Sequence, residues 1–250
     1  KIALKNTARG TGFDPLLPRT RTSLRAQIGR AEFGGRDFGG IELDAELDSQ
    51  RLSGRISDRD EALRLLLSVS GTLTEREQHI GLSGSVFGFD LAALGVSPEP
   101  ISGSFALDAS ASAAGKGAYA ARIALDSIEI RNKHRTDRIR PTSVSLHTDS
   151  AATRAEAASG DLSLTFSTPQ SADSLIAALT RSARTLAGQI DAQSIDMEQL
   201  KPALPDFALR VSAGPDNILN SLLKSRKIAF DALNAEGANC DSLPVSIRLR

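Results

Sequence analysis

Apolar residues recur at every second position in segment after segment of this chain. That spacing constrains its fold more than any other feature. Ile41, Leu43, Ala45 and Leu47 are two apart, as are Leu63, Leu65, Leu67, Val69 and Leu73. The spacing returns in Ile101, Phe105 and Leu107, and in Tyr119, Ala121, Ile123 and Leu125. It returns again in Leu162, Leu164 and Phe166, in Phe207, Leu209 and Val211, and in Leu243, Val245, Ile247 and Leu249. Side chains of a strand point alternately to the two faces of a sheet, so this pattern predicts an antiparallel sheet with one apolar and one polar face. The apolar face must either fold over on itself as a closed core or stay open as a channel for something apolar.

At 250 residues the chain is long enough for one large all-β unit or two ordinary domains. A hydrophobic share of 40% suffices for a core, but the aromatic share is 4%, with one Tyr and no Trp. The apolar face is therefore built from Leu, Ile, Val and Ala. So few aromatics argue against sugar-stacking and base-stacking sites, and no nucleic-acid partner is expected. Thirty basic and thirty acidic residues cancel, which removes any general attraction to polyanions. The single cysteine, Cys240, excludes an internal disulfide framework. No apolar run reaches the roughly 18 residues of a membrane-spanning helix. The sequence starts without Met or a signal peptide and stops in mid-strand pattern, as expected of a piece of a longer protein.

Residues 1–21, with glycines and prolines, read as an irregular lead-in. Strands are expected near 22–33, 41–48, 51–57, 63–74 and 78–87. Short polar links such as Asp48-Ser49-Gln50 make neighbouring strands antiparallel partners in a meander. Phe89, Leu91, Ala92 and Leu94 predict a helical turn or two, capped by Asp90 and stopped at Gly95. Strands then follow near 101–112, 117–131, 142–149, 151–157 and 161–168. Leu175, Leu179, Leu186 and Ile190 repeat at helical spacing, with Ala178 and Ala183 on the same side, so a helix is expected over 171–190 with Ser171 as its cap and that stripe against the sheet. Asp196 and Gln199 have capping-box spacing for a second short helix, ended by Pro202 and Pro205. A strand from Phe207 to Ala213, a helix from Asp216 and a strand from Ile228 to Leu233 complete the pattern. The division expected is an antiparallel section at 1–168, a helical insert at 169–204 and a strand–helix–strand unit at 205–250. Strand, short helix, strand recurs at 79–101 and at 207–228, a weak internal repeat.

Candidate chemistry is sparse. His79, His134 and His147 have no ligand spacing, and with one cysteine a zinc site is disfavoured against ordinary surface histidines. Gly115-Lys116-Gly117-Ala118-Tyr119-Ala120 matches a dinucleotide fingerprint on paper, but the alternation after it makes the glycines a hairpin turn. Gly81-Leu82-Ser83-Gly84-Ser85 nearly spells a nucleophile elbow, yet lies inside a strand. Asp44, Glu46 and Asp48 share one polar face; calcium binding is weighed there against a solvated face with Arg51 or Arg55 beside it, and the second is favoured. Arg131, Lys133, Arg135, Arg138 and Arg140 could meet anionic headgroups, but a solvated hairpin end is favoured. Neither a metal nor a cofactor is expected, and no catalytic constellation stands out.

Asp206-Phe-Ala-Leu-Arg-Val-Ser-Ala-Gly-Pro-Asp-Asn-Ile-Leu, followed by Ile228-Ala-Phe-Asp-Ala-Leu, resembles the TamB and AsmA-like family of bacterial envelope proteins, especially its Bacteroidetes TamB-type members. Phe89-Asp-Leu-Ala-Ala-Leu-Gly-Val, then Ile101-Ser-Gly-Ser-Phe-Ala-Leu-Asp, is similar to that family's repeats. The helical stretch at 171–204 departs from it, being longer than the usual insert. The resemblance implies a periplasmic protein of the cell envelope, tethered to the inner membrane by a segment outside this sequence. It also implies a β-taco sheet curled round a hydrophobic groove, and work in outer-membrane biogenesis. Phospholipid acyl chains and the outer-membrane assembly machinery are the implied partners. The family's two proposed jobs are phospholipid transport and assembly of outer-membrane or secreted β proteins.

The fold class expected is thus a mostly β, antiparallel meander curled into a β-taco or half-barrel with short amphipathic helices. Its groove would be lined by Leu43, Leu47, Ile56, Leu82, Val86, Phe105, Leu107, Ile123, Leu125, Leu164 and Phe166, because hairpin links make their strands neighbours and alternation puts them on one face. The rival readings are a module offering sheet edges to client strands and a structural, adhesin-like sandwich with a closed core.

Overall fold

A computed structural model describes residues 2–6, 21–28, 31–33, 36–38, 40–115, 117–133, 135–191, 204–225, 230–239 and 246–249. Strands dominate it. In order they are β1 (Ile2–Asn6), β2 (Arg21–Ile28), β3 (Ala31–Phe33), β4 (Arg36–Phe38), β5 (Ile41–Asp48), β6 (Arg51–Arg59), β7 (Leu63–Leu73), β8 (Glu77–Asp90) and β9 (Ser102–Ala114). After these come β10 (Ala118–Arg131), β11 (Thr136–Ile139), β12 (Thr142–Thr148), β13 (Thr153–Ser159), β14 (Leu162–Thr168), β15 (Phe207–Ala213), β16 (Leu233–Asn239) and β17 (Ser246–Leu249). Helix α1 (Ala172–Asp191) follows β14, and helix α2 (Ile218–Ser225) follows β15. The chain is a mostly β protein, an antiparallel meander with short helices.

Two compact units divide it: Lys1–Gly115 with Ala121–Ser143, and Lys116–Ala120 with Val144–Arg250. In the first, the strand order is β1-β2-β5-β6-β7-β8-β9-β10-β11, with β3 and β4 forming a small sheet of their own. Pairing is antiparallel from β1 through β9 and again between β10 and β11. In the second unit the order is β12-β13-β14-β15-β16-β17, antiparallel from β13 onward.

Tight turns make the meander possible. Ser49 and Gln50 both have positive φ (52° and 70°), the two-residue primed-type turn that matches strand twist, between β5 and β6. Gly115 and Gly117 have positive φ between β9 and β10, the hairpin that alternation after them implies. The 89–96 segment is a single capped turn and not a helix. The Asp90 carboxylate accepts hydrogen bonds from the Ala92 and Ala93 N–H groups (2.9 and 3.0 Å). Val96 N–H reaches the Leu91 carbonyl and Gly95 N–H the Ala92 carbonyl, with Gly95 at φ 74°, so a Schellman cap closes the turn at once.

Several expectations need correcting. The irregular lead-in contains β1, whose Ile2 and Leu4 face Ala26 and Leu24 of β2. The strand expected at 22–33 ends at Ile28, and β3 pairs only with β4. The basic stretch contains β11, which pairs with β10 and sets Ile139 opposite Ile128, both buried. The helix expected from Asp216 starts at Ile218, capped by Asn217, whose side-chain oxygen accepts from the Asn220 N–H (2.8 Å). The strand after α2 starts at Leu233, and residues 230–232 are outside it. The helix expected from Asp196 and the histidine at 134 lie outside the described residues.

Candidate functional site

Strand pairing assembles the alternating residues of the first unit into rows. One row runs Ala26, Leu43, Ile56, Leu67, Gly84, Leu107 across β2, β5, β6, β7, β8 and β9. A second runs Leu24, Ala45, Gly54, Val69, Leu82, Ala109, and a third Thr22, Leu47, Leu52, Gly71, Ile80, Ala111. Val86 faces both Leu65 and Phe105. The apolar face is therefore continuous in register over six strands. The second unit repeats the arrangement: Ala155, Phe166, Leu209 and Gly237 form one row, and Ala157, Leu164, Val211, Ala235 and Ile247 another. Phe105 packs against Phe89 with ring centroids 6.0 Å apart, and Phe166 against Phe207 at 6.1 Å.

Glycines bring neighbouring strands of the first sheet unusually close on this face. Each of Gly54, Gly71, Gly84 and Gly103 sits where a Cβ would collide with a neighbouring strand's carbonyl oxygen: Asp44 at 2.7 Å, His79 at 2.4 Å, Leu66 at 2.2 Å and Glu129 at 2.3 Å. Only a residue without a Cβ lets two strands fold together this closely, and Gly54, Gly71 and Gly84 take apolar-face positions on three consecutive strands. These glycines escape a reading that counts only large apolar residues. Their signal was present: each continues the period of two through a gap in it.

The face is only partly buried. Leu47 and Val86 are buried, while Leu43, Ile56, Leu82, Phe105, Leu107, Leu125, Leu164 and Phe166 are half-buried. Ile123 is 48% exposed. It lies on β10, where Ser127 adopts φ 52° and shifts the alternation from Leu125 to Ile128. Among the described residues the most deeply buried large side chains are polar: Asn220, Thr148 and Ser159.

Those polar groups hold helices at opposite ends of the second unit's strands. At one end, the Thr148 and Thr153 hydroxyls bond each other (2.8 Å), Thr153 donates to the Gln170 carbonyl, and Thr148 accepts from the Ala172 N–H that begins α1. Ser171 caps the helix through its side-chain oxygen, as its position implies. The buried side of α1 is Leu175, Ala178 and Ser182, and Leu179 of the expected stripe is 49% exposed. Leu175, Ala178 and Ser182 are three and four residues apart, a narrower face that small side chains complete. Leu186 and Ile190 lie outside the described side chains.

At the other end, the Asp161 carboxylate accepts from the Asn217 amide (2.6 Å) and the Asp216 N–H (2.8 Å). Asn217 also donates to the Gly214 carbonyl, and Asn220 to the Pro215 and Phe230 carbonyls. The Asn217 amide, first, and the Asp216 and Gly214 N–H groups hold the Asp161 carboxyl below its ordinary range. A Cβ on Gly214 would lie 2.4 Å from the Asp161 carboxylate. Gly214-Pro-Asp-Asn thus staples α2 to the β13–β14 turn.

The polar face is an array of charge pairs. Asp44 and Asp48 bond Arg25 and Arg21 of β2. Arg55 and Arg51 do stand opposite the same acids on β6, as expected, but the ion pairs are made with β2. The hydrogen bond from Arg21, and next that from Ser49, lower the Asp48 pKa. In the basic stretch Arg131 and Arg138 bond Glu129, and Arg135 bonds Asp137 (2.7 Å), so its cations answer one another's acids at a hairpin. Among the described residues no three His, Cys, Asp or Glu side chains lie together as metal ligands would. No described helix is long and apolar enough to cross a membrane. No family model matches the chain, and neither a curated protein nor a solved structure matches it.

Proposed function

We propose that the apolar face is an open groove for phospholipid acyl chains, and that the chain is a periplasmic section of a lipid-transport bridge or outer-membrane biogenesis scaffold that works without catalysis. The observation that carries this reading is the face's combination of continuity and exposure. It runs in register across six strands of the first unit, yet most of its large side chains are half-exposed. A closed core would bury them, because packing removes nearly all water from side chains of that size. Lipid tails make no hydrogen bonds, so a wall of Leu, Ile, Val and Gly suits them, and a charge among them is costly. The glycines let the strands of that wall approach one another closely, which a wall wrapped round a chain needs. The resemblance of its repeats to TamB-type envelope proteins supports the same reading, in which the chain works in the periplasm, tethered to the inner membrane and in reach of the outer-membrane assembly machinery.

Lipid extraction of the chain purified from a bacterial periplasm, followed by mass spectrometry, tests the proposal. Phospholipid in defined stoichiometry supports it. A lipid-free protein that instead takes up extended client peptides along its edge strands would favour a β-augmentation chaperone.

A further inference from the structure

The polar face of the first unit carries a site of a different kind. Arg59 of β6 and Arg64 of β7 stand directly opposite each other. Like charges in that position repel. Neither guanidinium has a hydrogen-bond or ion-pair partner among the described residues. Three of the carboxylates around them are engaged elsewhere. Asp44 is held by Arg25, Asp58 accepts from the Asp60 N–H and Asp90 caps its own turn. Glu42 takes a long contact from Gln27, and Glu61 stands at the rim without a partner.

Beside this pair a bulge in β8 pushes an aromatic ring outward. Val86 faces Phe105 and Phe89 faces Gly103, so Phe87 and Gly88 together oppose one residue of β9. Phe87 is 58% exposed and Leu66, next to Arg64's strand position, is 40% exposed. The Arg64 guanidinium lies across Gly88, its nearest nitrogen 3.4 Å from where a Cβ would stand. Two adjoining clefts of about 560 and about 490 Å³ share Arg59, Arg64 and Phe87 in their walls.

We propose that this cleft binds a phosphate-bearing amphiphile, its phosphate bridging Arg59 and Arg64 and its apolar part covering Phe87 and Leu66. A phosphate offers several oxygens to two guanidinium forks that approach from adjacent strands, and it relieves the repulsion between them. Arg59 and Arg64 hold polar-face positions, while the cleft walls also include Leu65, Phe89 and Gly103 from apolar-face positions.

The test follows the Arg side-chain Nε–H and Phe87 ring resonances of the full chain during titration with hexyl phosphate, inorganic phosphate and hexanol. Hexyl phosphate should shift all three residues at concentrations at least tenfold lower than inorganic phosphate, and hexanol should leave the arginines unmoved. Arg64→Gln and Arg59→Gln each remove a repulsion and should fold normally while weakening hexyl phosphate at least tenfold. Equal potency of inorganic and hexyl phosphate, or unchanged affinity in both arginine variants, overturns the proposal.

Discussion

Gly84 of β8 lies so close to β7 that a Cβ on it would stand 2.2 Å from the Leu66 carbonyl oxygen and 2.9 Å from the Leu67 Cα. Both obstacles are backbone, so neither can swing aside. Gly84 also has φ +152°, a conformation that L side chains rarely adopt. Gly84→Ala is therefore expected to cost about 1–3 kcal/mol in urea unfolding. Gly81→Ala, on the same strand, meets first the Ser70 hydroxyl at 3.2 Å, which can rotate. Its cost is expected to stay below about 1 kcal/mol. Equal costs would mean that the close approach of β7 does not require glycine at position 84.

The Asp161 staple makes stability depend on pH. Its carboxyl is held below the ordinary value of 3.8, chiefly by the Asn217 amide. A carboxyl whose folded pKa is depressed contributes stability that is present above the unfolded value and lost as pH falls through the folded one. Asp161→Asn should therefore melt below the parent at pH 7, and the two melting curves should converge as the pH is taken below 3.8. A gap that stays constant with pH would show that the ionised carboxylate is not what holds α2.

Helix α1 separates two leucines that share its periodic stripe. Leu175 is 9% exposed and Leu179 is 49% exposed. Leu175→Ala is expected to cost about 2–4 kcal/mol, the range of a buried leucine truncation. Leu179→Ala should cost less than about 1 kcal/mol. Chemical denaturation of the two variants decides it, and the reverse order would place the other side of the helix against the protein.

The Asn217 cap is expected to be worth more than a simple cap, because its amide serves Asp161 and Gly214 while its oxygen holds the Asn220 N–H. Asn217→Ala should destabilise by about 1–3 kcal/mol, combining loss of the cap with loss of buried hydrogen bonds. Asn217→Asp keeps the capping oxygen but sets a second carboxylate against Asp161, so it should rescue little at pH 7 and more at pH 3.

Strands were legible wherever one face is apolar and links are short. The spacing of Ile41, Leu43, Ala45 and Leu47 places β5 to the residue, and the helical spacing after Ser171 places α1. What alternation could not supply was what a strand does at a gap in its pattern. Gly54, Gly71 and Gly84 read as interruptions, although each is a position where the neighbouring backbone takes the space of a side chain. The shift from Leu125 to Ile128 is visible in the sequence as a change of phase, but its cause, a positive φ at Ser127, is a matter of backbone geometry. Charge pairing was underdetermined because Asp44 has an arginine opposite it on each side, Arg25 and Arg55, and only side-chain geometry selects Arg25. On α1 the expected side holds for Leu175 and Ala178, both buried, but large apolar residues were weighted above Ser182, which takes the buried position in place of the exposed Leu179.

Leu107 tests the open groove most directly. It sits at the β9 end of the row Leu43, Ile56, Leu67, Gly84 and is half-buried, with Gly84 rather than a large side chain opposite it. The measurement is the phospholipid that co-purifies with the chain and with Leu107→Asp, quantified by mass spectrometry, with circular dichroism of both. An open face tolerates a charge that an acyl chain does not. The expected result is an unchanged β spectrum with the bound phospholipid reduced at least tenfold. A variant that unfolds, or a parent chain that carries no phospholipid, would contradict the groove and leave the apolar face as a closed core.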